Sequence, residues 1–189
     1  MALPSRRPDG SIQSFFGVRS VVPASGLRFA GTWPMGALVQ VGYARVISDP
    51  PGAVAVIALY NNSIPGVPLF QAGIPMTTRN HNRFFVPYDN LSGSRSAVAV
   101  VVLTAQTITV NARDSNGVIE CMFDRPMGAG SHYPFIVQSD LPCTVDSEGV
   151  IEVIGPDPTL GGVAFTAQPA GETPGAGAFT TLQVFGPTP

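Results

Sequence analysis

The sequence predicts an all-β protein built from short antiparallel strands. Hydrophobic residues make up 44% of its 189 residues and charged residues only 12%, which is enough apolar surface to form a core. The 21 glycines and 19 prolines are spread along the chain and interrupt the apolar segments at short intervals. The valine-rich run at residues 97–105 ends within nine residues, the length of a buried strand. This pattern is typical of a sandwich or a barrel.

An internal repeat divides the chain into two related units. Residues 9–12 correspond to residues 116–119, and residues 42–51 correspond to residues 149–158. Both matches have the same offset of 107 residues (117 − 10 and 149 − 42). Because separated anchors share one offset, we expect a repeated structural unit. The predicted units are residues 1–80 and residues 81–189.

The second unit contains the complete strand pattern. Alternating apolar residues bounded by turn residues predict its strands. The connection Asp114-Ser-Asn-Gly117 is the strongest hairpin signal, because Asn-Gly adopts positive φ angles at low steric cost. This number and spacing of strands predict an immunoglobulin-like antiparallel β-sandwich. The expected strands lie near residues 83–87, 96–103, 107–113, 118–123, 132–137, 149–154, 162–167 and 178–185.

The first unit is predicted to lack its opening strands. Its Asp9-Gly10 turn corresponds to Asn116-Gly117, so the strands equivalent to residues 83–113 have no counterpart in it. Missing neighbours leave strand edges unpaired, a state that invites capture of another strand. We therefore expect a protein partner that completes the unit. Sequence upstream in a longer chain is favoured over a neighbouring subunit.

Cys121 and Cys143 are the only cysteines, and the residues leave two interpretations open. In an oxidising compartment they could form a disulfide, which would close a loop of about 20 residues and add roughly 3 kcal/mol. Alternatively, they could be two separate buried thiols. Neither cysteine has the spacing of a metal ligand, so no metal or other cofactor is predicted.

Charge and composition narrow the choice of partner and compartment. Ten Lys plus Arg against twelve Asp plus Glu, a net charge of −2, do not favour nucleic acid. No segment is predicted to span a membrane. The start of the chain has two arginines but no apolar region after them, so no signal peptide is predicted in this chain. The composition nevertheless favours an extracellular or cell-surface protein.

The chemistry-bearing residues do not form a catalytic pattern, and we predict no enzymatic activity. His81 and His132 are the only histidines, no G-x-S-x-G motif is present, and both histidines are interpreted as solvated or linker residues. Most of the carboxylates of the second unit lie near predicted turns, where aspartate is favoured for turn hydrogen bonds. The remaining candidates are aromatic. Trp33, Tyr88 and Tyr133 could stack on a sugar ring, which makes carbohydrate binding the alternative function.

The second unit resembles a repeat domain found in large predicted secreted proteins of Acidobacteria. The resemblance lies in Arg83-Phe-Phe-Val-Pro-Tyr-Asp-Asn90, in Ala97-Val-Ala-Val-Val-Val102 and in Ala178-Phe-Thr-Thr-Leu-Gln-Val184. In the first unit, Gln40-Val-Gly-Tyr-Ala-Arg-Val46 resembles the segment that precedes this domain there. The resemblance implies a surface or matrix role and carries over no catalytic residue. The predicted function is therefore a non-catalytic structural or adhesive module.

Overall fold

A computed structural model describes residues 3–6, 12–16, 46, 49–50, 57–62, 70–75, 81–168 and 179–182. These residues contain β-strands, one helical turn α1 at Val137–Asp140, and 3-10 turns at Leu91–Gly93 and Pro142–Thr144. The all-β prediction is confirmed, and each strand expected after residue 81 is present, with ends that differ by a few residues. The strands are β1 (Leu3–Arg6), β2 (Ile12–Phe16), β3 (Ile57–Asn62), β4 (Phe70–Pro75), β5 (Arg83–Asp89), β6 (Arg95–Val102), β7 (Gln106–Arg113), β8 (Ile119–Met127), β9 (His132–Ile136), β10 (Glu148–Ile154), β11 (Leu160–Ala167) and β12 (Phe179–Leu182).

Two four-stranded antiparallel sheets form the main body. Their strand orders are β5-β10-β7-β8 and β12-β11-β6-β9. Alternate residues of both sheets point inward and form one shared core, so the sheets pack face to face as a sandwich. Fully buried large apolar side chains come from both sheets, among them Phe84, Ile108, Ile151, Leu160, Val98 and Val100, and Leu141 from the segment between β9 and β10 adds to them.

Close packing between the sheets explains Gly162 in β11. A Cβ atom on Gly162 would lie 2.6 Å from Cζ of Phe84 in the opposite sheet. Glycine at this position therefore makes room for the phenylalanine ring, which fills the core in its place. The sequence shows the glycine pair but not which side chain occupies the space above it.

The hairpin predicted at Asp114–Gly117 is present, with a different backbone from the one expected. The N–H of Gly117 donates to the carbonyl of Asp114 at 3.0 Å. Gly117 alone in this turn has a positive φ, +82°, and the ladder shifts register between Ala112 and Arg113. The connection is therefore a longer turn followed by a glycine bulge, and not a two-residue turn with two positive φ angles.

The pairing of β1 with β2 repeats the pairing of β7 with β8 at the 107-residue offset. Arg6 lies opposite Ile12, as Arg113 lies opposite Ile119. In both ladders the register shifts immediately before that arginine. A bulge at the same position of two equivalent ladders is a structural counterpart of the sequence repeat.

The pairing of β3 with β4 likewise repeats the pairing of β11 with β12. Ile57 lies opposite Pro75, and Ala164 lies opposite Leu182. Both pairs differ by 107 residues (164 − 57 and 182 − 75). The strand β4 also lies against β12, the edge strand of the second unit. The hairpins described before residue 76 therefore have the registers of the corresponding hairpins after residue 105.

The first and last strands of the described sandwich lie at the edges of different sheets. β5 pairs with β10 in one sheet, and β12 pairs with β11, which also pairs with β6, in the other. Periodicity predicts strands but contains no information on which strand lies beside which. Within the part of the chain that the structure describes, no helix has the length and apolar content needed to cross a membrane.

Candidate functional site

The outer face of the β5-β10-β7-β8 sheet carries a buried carboxylate between two arginines. Glu152 is 0% exposed although its position in β10 points away from the core. Its Oε1 accepts from Nε of Arg83 at 2.6 Å, and its Oε2 accepts from Nδ2 of Asn111 at 2.9 Å. The same Oε2 accepts from Nε of Arg113 at 2.9 Å and pairs with its Nη2 at 2.7 Å. We call these four residues the Glu152 cluster.

The Glu152 cluster holds the carboxylate in its ionised form. Burial alone would raise the pKa of Glu152, but hydrogen bonds from Asn111, Arg113 and Arg83 outweigh burial and lower that pKa. Both oxygens accept from these donors, so the group is poorly placed to take a proton from a substrate. The cluster therefore cross-links β5, β7 and β10 and does not have the arrangement of a general acid or base.

A shallow depression of about 340 Å³ lies at the other end of the same strands. Its walls include Asp89 and Glu148, which lie directly opposite each other on β5 and β10. Oδ1 of Asp89 accepts from the backbone N–H of Leu91 at 2.9 Å, so this carboxylate also has a local structural role. In the described part of the chain, no group of three or more His, Cys, Asp and Glu side chains is arranged to hold a metal ion. The depression therefore offers two acidic side chains, which is fewer than the group of three that a metal site would use.

A disulfide joins Cys121 of β8 to Cys143 in the 3-10 turn Pro142–Thr144. Of the two interpretations that the sequence left open, the structure has the bonded one. The Cα atoms are 6.1 Å apart, and both residues pack against the core. The bond links the segment between β9 and β10 to β8, the edge strand of the β5-β10-β7-β8 sheet.

Tyr133 is part of an aromatic cluster beside the disulfide, so its ring is not available to a sugar. It stacks on Phe135 with ring centres 5.5 Å apart and meets the edge of Phe123 at 6.1 Å. The guanidinium of Arg125 lies over the ring, 4.5 Å from its centre. The hydroxyl donates to Oδ1 of Asp140 at 2.5 Å. These contacts close this side of the sandwich.

The stacking role expected for Tyr88 is wrong. Tyr88 is 3% exposed and belongs to the core, because it follows Phe84 and Val86 on the inward face of β5. Its hydroxyl reaches Oγ of Ser147 at 3.3 Å. Trp33, the third stacking candidate, lies outside the described residues.

His132 is buried, which corrects its interpretation as a solvated histidine. It is 4% exposed, and neither ring nitrogen has a hydrogen-bond partner among the residues that the structure describes. Within the same residues, Oγ of the neighbouring Ser131 is also buried without a partner. Burial lowers the pKa of His132, because the imidazolium form would lose its hydration. His81 lies half-buried ahead of β5, where it forms a β-bridge with Leu160.

The outer face of the β12-β11-β6-β9 sheet is mainly apolar, with the exposed Arg95 at the start of β6. Residues that lie opposite each other in the ladders share a face, so the register defines this surface. Four of its side chains are half-buried, and two, on β9, are exposed. The outer face of the other sheet instead carries charged side chains such as Arg83, Glu148 and Asp124. We call the apolar surface the contact face, and it consists of Ala97, Ala99, Val101, Pro134, Ile136 and Val163.

Sequence reasoning missed both the Glu152 cluster and the contact face. The contact face had a signal, because a strand that is apolar at successive positions, as at residues 97–102, is covered on both sides. The sequence signal for the Glu152 cluster was weaker, because it consisted only of a glutamate between apolar residues in the middle of a strand. Its partners lie 69 and 39 residues away, so the pairing depends on strand order.

Comparisons of the chain with protein-family models, curated proteins and solved structures found no match. The functional argument therefore rests on the residues described above.

Proposed function

We propose that the protein is a non-catalytic structural or adhesive module of an extracellular or cell-surface protein or assembly. The contact face is the observation that carries this proposal. A continuous apolar surface on the outside of a sandwich is typical of protein–protein contact, since exposed apolar area is otherwise costly. The strands beneath the contact face are held by the core, so this surface is rigid and has its shape before a partner binds.

The chemistry of the other surfaces supports the same proposal. The polar groups of the Glu152 cluster bind one another, which suits a structural role better than a reaction centre. The disulfide Cys121–Cys143 suits an oxidising compartment, because thiols are kept reduced in most cytosols. Tandem immunoglobulin-like units at residues 1–80 and 81–189 belong to this proposal, as does the resemblance to secreted repeat domains. Neither nucleic acid nor a membrane is a proposed partner.

An adhesion assay tests the proposal. Beads coated with the whole chain are expected to cluster, or to be retained on cell-surface and extracellular-matrix preparations, more than uncoated beads. Ala99→Lys places a charge in the contact face and is expected to abolish this. Thr107→Lys places the same charge on the exposed outer face of the opposite sheet and should leave adhesion unchanged. Wild-type beads that behave like uncoated beads would refute the adhesive role.

Carbohydrate binding, the alternative from the sequence, has no support among the described residues. Tyr88 is buried in the core, and the ring of Tyr133 packs against Phe135 and Arg125, so the alternative depends on Trp33. A glycan array probed with the wild type and with Trp33→Ala tests it directly. Binding that disappears in the variant would favour a carbohydrate-binding module.

A further inference from the structure

The outer face of the β5-β10-β7-β8 sheet has opposite charges at its two ends. Arg83 begins β5, and Asp89 ends the same strand on the same face, about 20 Å away along the extended chain. Glu148 lies directly opposite Asp89 in the ladder with β10, and all three side chains are exposed. We call this surface the charged face, with a basic end at Arg83 and an acidic end at Asp89 and Glu148.

Arg83 at the basic end is held in place but keeps donors for a second carboxylate. Its Nε and Nη2 bind Glu152, which occupies one edge of the guanidinium. The guanidinium also lies over the ring of Phe85, 4.9 Å from its centre. These contacts fix its orientation, yet the side chain is 45% exposed. The fork between Nη1 and Nη2 is therefore oriented in advance for a carboxylate from outside the chain.

The two carboxylates of the acidic end lack a counter-charge in the described part of the chain. Asp89 and Glu148 are like charges directly opposite each other in a ladder, an arrangement that is destabilising by itself. Within the described residues, neither forms an ion pair with a cationic side chain. Both line the depression of about 340 Å³. A guanidinium that entered this depression would lie close to both carboxylates and relieve their repulsion.

Between its charged ends, the face is apolar on both sides of the Glu152 cluster. On β5 the half-buried Phe85 and the exposed Pro87 face outward. On β8 the side chains of Met122 and Ile119 lie on the same face, opposite positions 111 and 113 of β7. Met122 is 54% exposed and Ile119 is 43% exposed. Arginine, methionine and aromatic side chains together are typical of protein interfaces.

The order of these groups makes the charged face complementary to itself. A two-fold axis that lies in the plane of contact, across the strands and midway between Phe85 and Pro87, sets the strands of a second copy antiparallel to the first. Arg83 of each copy then lies over Asp89 and Glu148 of the other. The same rotation sets apolar side chains on apolar side chains, which are Phe85 on Pro87 and Met122 on Ile119.

We propose that two copies of this chain associate through the charged face, with the basic end of each copy on the acidic end of the other. Such a contact is isologous, because one surface binds itself and the dimer closes. The face measures about 20 Å by 15 Å, so two copies bury less than the lower limit of stable interfaces, about 1,200 Å². The association is therefore weak and reversible.

The dimer gives the proposed module two adhesive surfaces. The contact face belongs to the other sheet, so the contact faces of the two copies point away from each other. Because the dimer closes, it joins neighbouring copies on one bead, and clustering between beads still depends on the contact face. The dimer goes beyond the module role and does not rest on it, since other residues carry it.

Sedimentation velocity of the whole chain at up to about 1 mM, where weak contacts are populated, tests the dimer. The wild type is expected to dimerise, and added salt should weaken the dimer because the charges are exposed. The double variant Asp89→Asn, Glu148→Arg reverses the acidic end and should raise the dimer dissociation constant at least about tenfold. Asparagine keeps the oxygen that accepts from the N–H of Leu91. Ala99→Lys, on the contact face, is the control and should leave the dimer unchanged.

A mixture of two variants tests the pairing of opposite ends. Arg83→Gln removes the charge of the basic end but keeps a donor for Glu152, so this chain should fold. Alone it should dimerise more weakly than the wild type, and the acidic-end double variant should dimerise least. An equimolar mixture should associate more strongly than either variant alone, because the native acidic end of one chain binds the native Arg83 of the other.

Each outcome decides the proposal once circular dichroism has shown that the variants fold. Loss of the dimer in the double variant, with recovery in the mixture, supports it. A wild type that stays monomeric up to about 1 mM overturns it. A dimer that persists in the double variant, disappears in Ala99→Lys or is not strengthened in the mixture also overturns it. The adhesion assay with Ala99→Lys reports on the contact face alone, so the module role can stand if the dimer fails.

Discussion

Glu152 shows how one residue can hold three strands together from outside the core. Replacing it with glutamine leaves Arg83 and Arg113 near each other without their shared anion. Breaking a fully buried pair costs roughly 3–5 kcal/mol, and we expect about 2 kcal/mol here because Arg83 is partly exposed to solvent. The measurement is the free energy of unfolding in urea. Glu148→Gln, an exposed change on the same strand, is the control and should alter it by less than about 0.5 kcal/mol. Equal effects of the two variants would contradict the structural role of the cluster.

His132 should make the protein less stable in mild acid. Its pKa is lowered from 6.5 by burial, so the folded chain keeps the neutral imidazole while the unfolded chain takes up a proton. The contribution of the neutral His132 to the free energy of unfolding is fully present above pH 6.5. It is lost as pH falls below that value, by at most about 1.4 kcal/mol per pH unit. His132→Leu should remove this part of the pH dependence, measured as unfolding free energy between pH 7 and pH 5. The neighbouring Ser131→Ala also removes an unpartnered polar atom, but should raise stability equally at each pH. If the slope of the unfolding free energy against pH is unchanged in His132→Leu, His132 is not the group that causes the loss of stability in acid.

At the scale of elements, the disulfide fixes the segment between β9 and β10 to β8. The cysteines are 22 residues apart, and closing such a loop is worth about 3 kcal/mol in the chain-entropy model. The double variant Cys121→Ser, Cys143→Ser should therefore lose about 3 kcal/mol of stability. Hydrogen exchange should rise first in the 3-10 turn Pro142–Thr144 and in β8, while β5 and β10 stay protected. Uniform loss of protection across the sandwich would contradict this local role.

Strand positions were largely predictable because alternation is a local property. β6 and β10 follow the pattern of their own residues, and Asp114–Gly117 carries its turn chemistry in its sequence. The alternation of Phe84, Val86 and Tyr88 also indicated that Tyr88 faces the core. Its aromatic ring nevertheless suggested a role in ligand stacking. Strand neighbours were not predictable, because β5 pairs with β10 across more than fifty intervening residues. The Glu152 cluster and the disulfide both depend on that order, so sequence alone left them unseen or undecided.

At the scale of the whole molecule, the two ladders that recur at one offset connect sequence and structure most directly. Short matching segments of the sequence define the repeat, and the registers of β1–β2 and β3–β4 extend it to paired strands. Immunoglobulin-like strand order is a further step that the repeat does not require, because the same periodic signal is compatible with several strand orders.

The boundary predicted between residues 80 and 81 can be tested by dividing the chain there. The core of the described sandwich contains only residues after that point, from Phe84 to Ala164. A fragment of residues 81–189 should therefore fold alone, form the disulfide, and unfold in one cooperative transition. Residues 1–80 alone should lack such a transition, because the described core contains no residue of that fragment. Circular dichroism and thermal denaturation of both fragments and of the whole chain provide the measurement. If the fragment of residues 81–189 unfolds without cooperativity, contacts such as β4 against β12 are essential for folding. The two units would then form a single folding domain.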